Sequence, residues 1–150
     1  MATYTSTIFA NMQPKQGHIG NQSVGGFFSM GATASSAGDI IFLAKIPNGA
    51  VVYDLIEEHT SGSTALGISF GLASGGPAGS ATLSCFIAAG AQATFNRRTV
   101  LGIADGWTVS VSDNDPNRYG ILSASPTSGT QTTSLKINFI CMYRADRNSA

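Results

Sequence analysis

Apolar and polar residues alternate along several stretches of the chain. Leu66, Ile68 and Phe70 alternate with glycine and serine, and residues 107–112 and 134–144 repeat the same period of two. Because successive side chains on a β-strand point to opposite faces, this pattern predicts strands with one buried face. The final segment also has Ile140 and Met142 on its polar face, which predicts a last strand that is covered on both sides.

Turn residues separate these segments at intervals of roughly ten to fifteen residues, as in sandwiches and barrels. The sequence Pro47-Asn48-Gly49 predicts a tight turn, because proline presets one dihedral angle and glycine allows a positive φ. The segments on either side of it are predicted to form a hairpin. The sequence therefore predicts an all-β, antiparallel, jelly-roll-like β-sandwich with strands near 40–46, 50–58, 65–72, 107–112 and 134–144.

Two segments do not follow this pattern. Residues 83–93 combine alanine with Ser84 and Cys85 near their start, so a short helix and a strand are both compatible with them. Residues 1–37 contain a single charged residue, Lys15, and little periodicity apart from a possible strand over 3–9. We therefore predict an extended N-terminal arm over residues 1–37, ordered by contact with a larger partner, and a β-sandwich domain over residues 38–150.

Charged residues make up 11% of the chain, against about 25% in ordinary soluble domains. The surface must instead be rich in small polar residues, which lose little side-chain entropy when a partner covers them. Eight basic and eight acidic residues balance, so no net field favours nucleic acid. The chain has no apolar run of membrane-spanning length and no basic, apolar leader, so we expect neither membrane insertion nor secretion. Folding in the cytosol also favours free thiols at Cys85 and Cys141.

Candidate catalytic and metal sites are weak. Glu57 and His59 share one face of a strand, but no third ligand is evident, and a solvated strand end explains them better. Residues 113–117 begin like a calcium loop, yet Arg118 and Ala124 stand where such a loop needs Gly and Glu. No nucleophile stands in a recognisable motif. We therefore expect no enzymatic activity, no metal and no cofactor.

Partner contacts are predicted at two places. The N-terminal segment carries apolar side chains that suit pockets on a partner, and a basic pair follows Phe95 and suits carboxylates. These predicted contact residues are Tyr4, Ile8, Phe9, Met12, Arg97 and Arg98.

Residues 38–55, with the sequence GDIIFLAKIPNGAVVYDL, end an apolar strand in Ile-Pro-Asn-Gly-Ala before a second strand begins. This pattern resembles small virion proteins of tailed bacteriophages, and residues 60–71 are similar to the hairpin that follows it there. The resemblance is good over residues 38–72 and loose over residues 100–144. It implies a jelly-roll fold and a structural role, with no functional residue to transfer.

The leading hypothesis is a capsid decoration (cement) protein that binds the major capsid protein in the virion, after assembly in the host cytoplasm. A homotrimer is expected, because capsid lattices present threefold sites. The alternatives are another virion component, such as a neck, tail or head-fibre protein, and a carbohydrate-binding jelly roll that uses Trp107 or Tyr119.

Overall fold

A computed structural model of the chain describes residues 1–11, 20–31, 35–60, 66–74, 81–92, 96–99, 107–111, 119–128 and 134–145. Within these ranges it contains one short helix, α1 (Thr7–Asn11), and ten strands. The strands are β1 (Thr3–Thr5), β2 (Gly20–Ser29), β3 (Ile40–Pro47), β4 (Val51–Thr60), β5 (Leu66–Ser74), β6 (Thr82–Gln92), β7 (Asn96–Thr99), β8 (Trp107–Thr108), β9 (Tyr119–Ser128) and β10 (Lys136–Ala145).

The strands form two five-stranded sheets. The first sheet has the order β1-β3-β9-β5-β6, and the second has the order β2-β10-β4-β7 with β8 also paired to β4. Every pairing is antiparallel except the parallel contact of β1 with β3. The predicted all-β sandwich is confirmed. The helix in the described ranges is too short to cross a membrane.

Most predicted strands are present within one or two residues of their predicted bounds. The ambiguous segment 83–93 belongs to strand β6. The predicted strand 107–112 is shorter, since only Trp107–Thr108 pair with β4. Beyond it, the N–H of Val109 donates to the carbonyl of Ala50, and the N–H of Val111 donates to the side chain of Asn48. Val109 and Val111 thus face the turn around Asn48 rather than a strand, so the pairing of β8 with β4 ends before them.

The predicted hairpin around Pro47-Asn48-Gly49 is wrong, although the turn itself is correct. Gly49 has the expected positive φ of 78°, but β3 belongs to the first sheet and β4 to the second. The turn therefore carries the chain across the sandwich. Its geometry reverses the chain without fixing which strands pair, and β9 and β10 become the partners of β3 and β4.

The core lies between the two sheets and is built from the inward positions of their strands. Phe70 and Ile137 are fully buried, and Phe139 is 2% exposed, so their predicted place in one core is confirmed. Trp107, predicted beside them, has a side chain outside the described part of the chain. The inward and outward positions of β10 alternate along almost its whole length.

Strand β10 is not covered on both sides, contrary to the prediction. Its outward residue Ile140 is 45% exposed, while the next residue, Cys141, is fully buried. The apolar residues on the outward face were correctly located, but the described residues form no second layer over Ile140.

The prediction of an extended arm over residues 1–37 also differs from the structure. Strand β1 extends the first sheet, and β2 pairs with β10 in register from Ser29↔Lys136 to Gly20↔Ala145. The apolar alternation of β2 is interrupted by Gly25 and Gly26, so the sequence does not display it. The described parts of this segment contain edge strands of the sandwich.

Replacing Phe139 with Ala is expected to lower the free energy of unfolding by about 3 to 5 kcal/mol, because a large, fully packed side chain leaves a cavity. Its exposed neighbour provides the matched control: Ile140→Ala should cost about 0.5 kcal/mol or less. Urea unfolding followed by circular dichroism measures both. Equal losses at the two positions would mean that the inward and outward faces of β10 are assigned wrongly.

Candidate interaction surfaces

Ser6 fixes the junction between β1 and α1. Its backbone N–H donates to the carbonyl of Phe42 at 2.9 Å, and its hydroxyl donates to the carbonyl of Leu43 at 2.6 Å. The same oxygen accepts from the N–H of Phe9 at 2.9 Å, which is the role of a helix N-cap. One buried serine thus starts α1 and binds it to β3.

Ile8 on α1 packs towards the second sheet. A side chain at Gly26 of β2 would collide with the end of the Ile8 side chain, so the missing Cβ at this position makes room for Ile8. Tyr4 and Ile8 are half-buried against the core. The N-terminal segment therefore closes the sandwich on the side where β2 and β3 lie near each other.

Phe9, on the same helix, belongs to an aromatic cluster with strands of the first sheet. Its ring centroid lies 5.2 Å from that of Phe42 and 6.4 Å from that of Tyr119. The ammonium of Lys45 lies 5.2 Å from the Phe9 ring and 4.9 Å from the Tyr119 ring, within the range of a cation–π contact. Lys45 is thereby partnered by the chain's own aromatic side chains.

Asp39 ties the first residues to the loop before β3. Its carboxylate accepts from the N–H of Ala2 at 2.6 Å and from that of Ser36 at 2.8 Å. Both hydrogen bonds lower the pKa of Asp39 below its usual 3.8, because they stabilise the charged form. The bond from Ala2 has the larger effect.

The structure brings three of the predicted contact residues, Tyr4, Ile8 and Phe9, into contacts within the chain. Met12 lies outside the described residues. The contact of these four residues with a partner stays a prediction. Sequence reasoning missed the serine that caps α1 and the glycine that receives Ile8; a serine before a short apolar segment was the available signal.

The two predicted arginines lie on the edge strand β7, whose backbone alone is described. In the register with β4, Arg97 stands opposite Glu58 and Arg98 opposite Glu57. Each arginine therefore has a carboxylate of its own chain at the neighbouring position. Their contact with a partner also stays a prediction, and no cross-strand pairing was considered from the sequence.

Glu57 and His59 do not form a solvated strand end, so that interpretation is wrong. Both point into the sandwich, with 0% and 2% exposure, and His59 Nδ1 lies 2.8 Å from Glu57 Oε2. Mutual hydrogen bonding makes the burial of two such groups tolerable. The described residues contain no cluster of three or more metal-ligating side chains, and the calcium-like segment 113–117 lies outside them.

Both cysteines are free thiols. Burial raises the pKa of Cys85 to about 11 and that of Cys141 to about 12. Since the thiolate is the reactive form, neither is suited to nucleophilic chemistry near neutral pH.

The outward side of the second sheet carries an apolar patch, of which the alternation in the sequence located Ile140 but not Phe27. Phe27 on β2 is 49% exposed and Ile140 on β10 is 45% exposed. They border a groove of about 660 Å³ whose lining includes Gly25, Gly26 and Ile56. We call this surface, formed by the outward residues of β2, β10 and β4, the outer face of the second sheet.

No protein-family model and no curated protein sequence matches the chain. Solved structures do. A chain in "Capsid of Ralstonia phage GP4" is 19% identical over 97% of this chain and 99% of its own length, with a TM-score of 0.66. A chain in "Cyanophage Pam1 capsid asymmetric unit" is 15% identical over 94% of this chain and 99% of its own length, with a TM-score of 0.53. At these identities the likeness establishes a shared fold.

Replacing Gly26 with Ala should destabilise the protein by about 1 to 3 kcal/mol, because the new Cβ must displace Ile8. In an Ile8→Ala background the same substitution should cost less, since the obstructing side chain is gone. Urea unfolding of the four chains in this double-mutant cycle gives the coupling between the positions. A Gly26→Ala cost independent of residue 8 would contradict the contact.

Replacing Asp39 with Asn should lower stability most at neutral pH. The pKa of Asp39 is lower in the folded than in the unfolded chain. The ionised carboxylate therefore stabilises the fold above about pH 4, and this stabilisation is lost as the pH falls through the folded pKa. The difference in unfolding free energy between wild type and variant should therefore shrink from pH 7 to pH 3 in urea titrations. A constant difference would show that ionisation of Asp39 does not matter.

Proposed function

We propose that this chain is a structural, non-enzymatic component of a bacteriophage virion, and specifically a decoration protein that binds and stabilises the capsid shell. The observation that carries the proposal is the end-to-end match with a chain from a phage capsid structure, over 97% of this chain and 99% of the other. The two chains are of nearly equal length, since the match covers almost all of each.

The surface supports the same role. Only 11% of the residues are charged, and two large apolar side chains are about half exposed on one sheet face. Exposed apolar groups beside small polar residues suit burial against other proteins. In this proposal the major capsid protein is the partner, and a trimer would match the threefold sites of a capsid lattice.

A different virion position, in the neck, tail or head fibre, is the alternative with the same fold. The carbohydrate-binding alternative receives no support from Tyr119, because Phe9 and Lys45 already contact its ring. The side chain of Trp107 lies outside the described residues.

Quantitative mass spectrometry of purified particles tests the proposal. A decoration protein should be present in a fixed ratio to the major capsid protein, because it occupies repeated lattice sites. A neck or tail component should instead be present in a few copies per particle.

Particles from a phage lacking the gene are the control. They should assemble but release their DNA at a lower temperature than wild-type particles, and added purified protein should restore the difference. Absence of the chain from purified wild-type particles would overturn the virion assignment.

A further inference from the structure

We propose that the outer face of the second sheet binds a second copy of this chain. The inference rests on the apolar and charged pattern of that face and does not depend on the proposed function. It assigns a partner to a surface that the fold leaves open.

The centre of the face is apolar. Ile140 stands between Gly25 on β2 and Ile56 on β4 in the sheet register. Phe27 lies one outward position along β2, and Gly25 offers no side chain beside Ile140. The result is a groove with a glycine floor between two exposed apolar side chains, a shape that accepts a protruding apolar side chain from another molecule.

The charges on this face lie in two columns. Lys136 and Arg144 are outward residues near the two ends of β10, while Asp54 and Glu58 occupy β4 on either side of Ile56. Cations thus flank the apolar centre on one strand and anions flank it on the neighbouring strand. Arg97 of β7 stands beside Glu58 in the register, and Asp54 stands beside Met142, one outward position from Arg144 on β10.

This arrangement is complementary to itself. When two such faces meet about 10 Å apart and shifted by one strand spacing, about 4.8 Å, β10 of each copy lies over β4 of the other. Ile140 of one copy then meets Ile56 of the other, and each cationic column lies near an anionic column. An unrelated partner would have to supply both the apolar centre and the opposite charge pattern, whereas a second copy already carries them.

Asp54 offers a hydrogen-bond acceptor to a partner on this face. Its Oδ1 is buried and has no hydrogen-bond partner among the described residues. A buried carboxylate oxygen without a donor is costly, and the cationic column of a second copy would place a donor there.

Sedimentation equilibrium of the full chain tests the proposal. At tens of micromolar, roughly the range of weak specific interfaces, the wild type should sediment as two or more chains. Ile140→Glu should sediment near the single-chain mass of 15.4 kDa, with a dissociation constant raised at least about tenfold. Ser84→Glu, which adds the same charge at an exposed position of β6 in the first sheet, should leave the association unchanged.

A second variant tests the charges without touching the apolar centre. Lys136→Glu combined with Arg144→Glu changes two exposed residues and should weaken association by turning an attraction into a repulsion. Each variant must show the wild-type fold in far-ultraviolet circular dichroism. Where Ile140→Glu does not fold, the double variant alone tests the proposal. A wild type that is monomeric, or oligomers that folded face variants leave intact, would overturn the proposal.

The outcome is separable from that of the proposed function. Association through this face by a chain that is absent from virions would refute the virion role alone. Presence in virions of a chain that is monomeric in solution would refute this inference alone.

Discussion

The burial of alternate apolar side chains between two sheets is the constraint on which the rest of the structure depends. Strand β10 shows it most clearly, because it pairs with β2 on one side and β4 on the other while its inward residues, among them Ile137 and Phe139, fill the core. A one-residue slip of β10 would turn all of these residues outward. The register of the second sheet is therefore set by the core rather than by a turn.

A sandwich also has open sides, and its N-terminal segment closes one of them. The short β1 leaves part of the edge of β3 unpaired, and Ser6 redirects the chain into α1 at that point. Ile8 and Phe9 then face different neighbours, Gly26 on one sheet and Phe42 on the other. Ser6 and α1 thereby lie against β3 where β1 ends, and covering an edge is how many proteins protect a sheet.

The sequence was sufficient to predict strands, but their pairing was not encoded locally. Alternation located β5 and β10, because side-chain period depends on the strand alone, and the turn at Gly49 located β3 and β4 on either side of it. The turn at Gly49 could not show that its strands belong to different sheets, since β9 and β10 lie far away along the chain. Strand β2 was missed because Gly25 and Gly26 interrupt its apolar alternation. For the candidate surfaces, alternation identified Ile140 as lying on the outward face, and only the assembled sheet showed that its side chain is 45% exposed.

The contacts of the N-terminal segment bear on which surface of this chain associates most readily with another molecule. A side chain that fills a gap in its own fold can bind a partner only by giving up that contact, and Ile8 and Phe9 both have such contacts. Binding through the outer face of the second sheet would not require a comparable contact to break. The side chains of Phe27 and Ile140 are about half exposed, so burying them against a partner is favoured by the hydrophobic effect and does not require them to give up a contact in the core. Association is therefore favoured at this face before any contact of the N-terminal segment is broken.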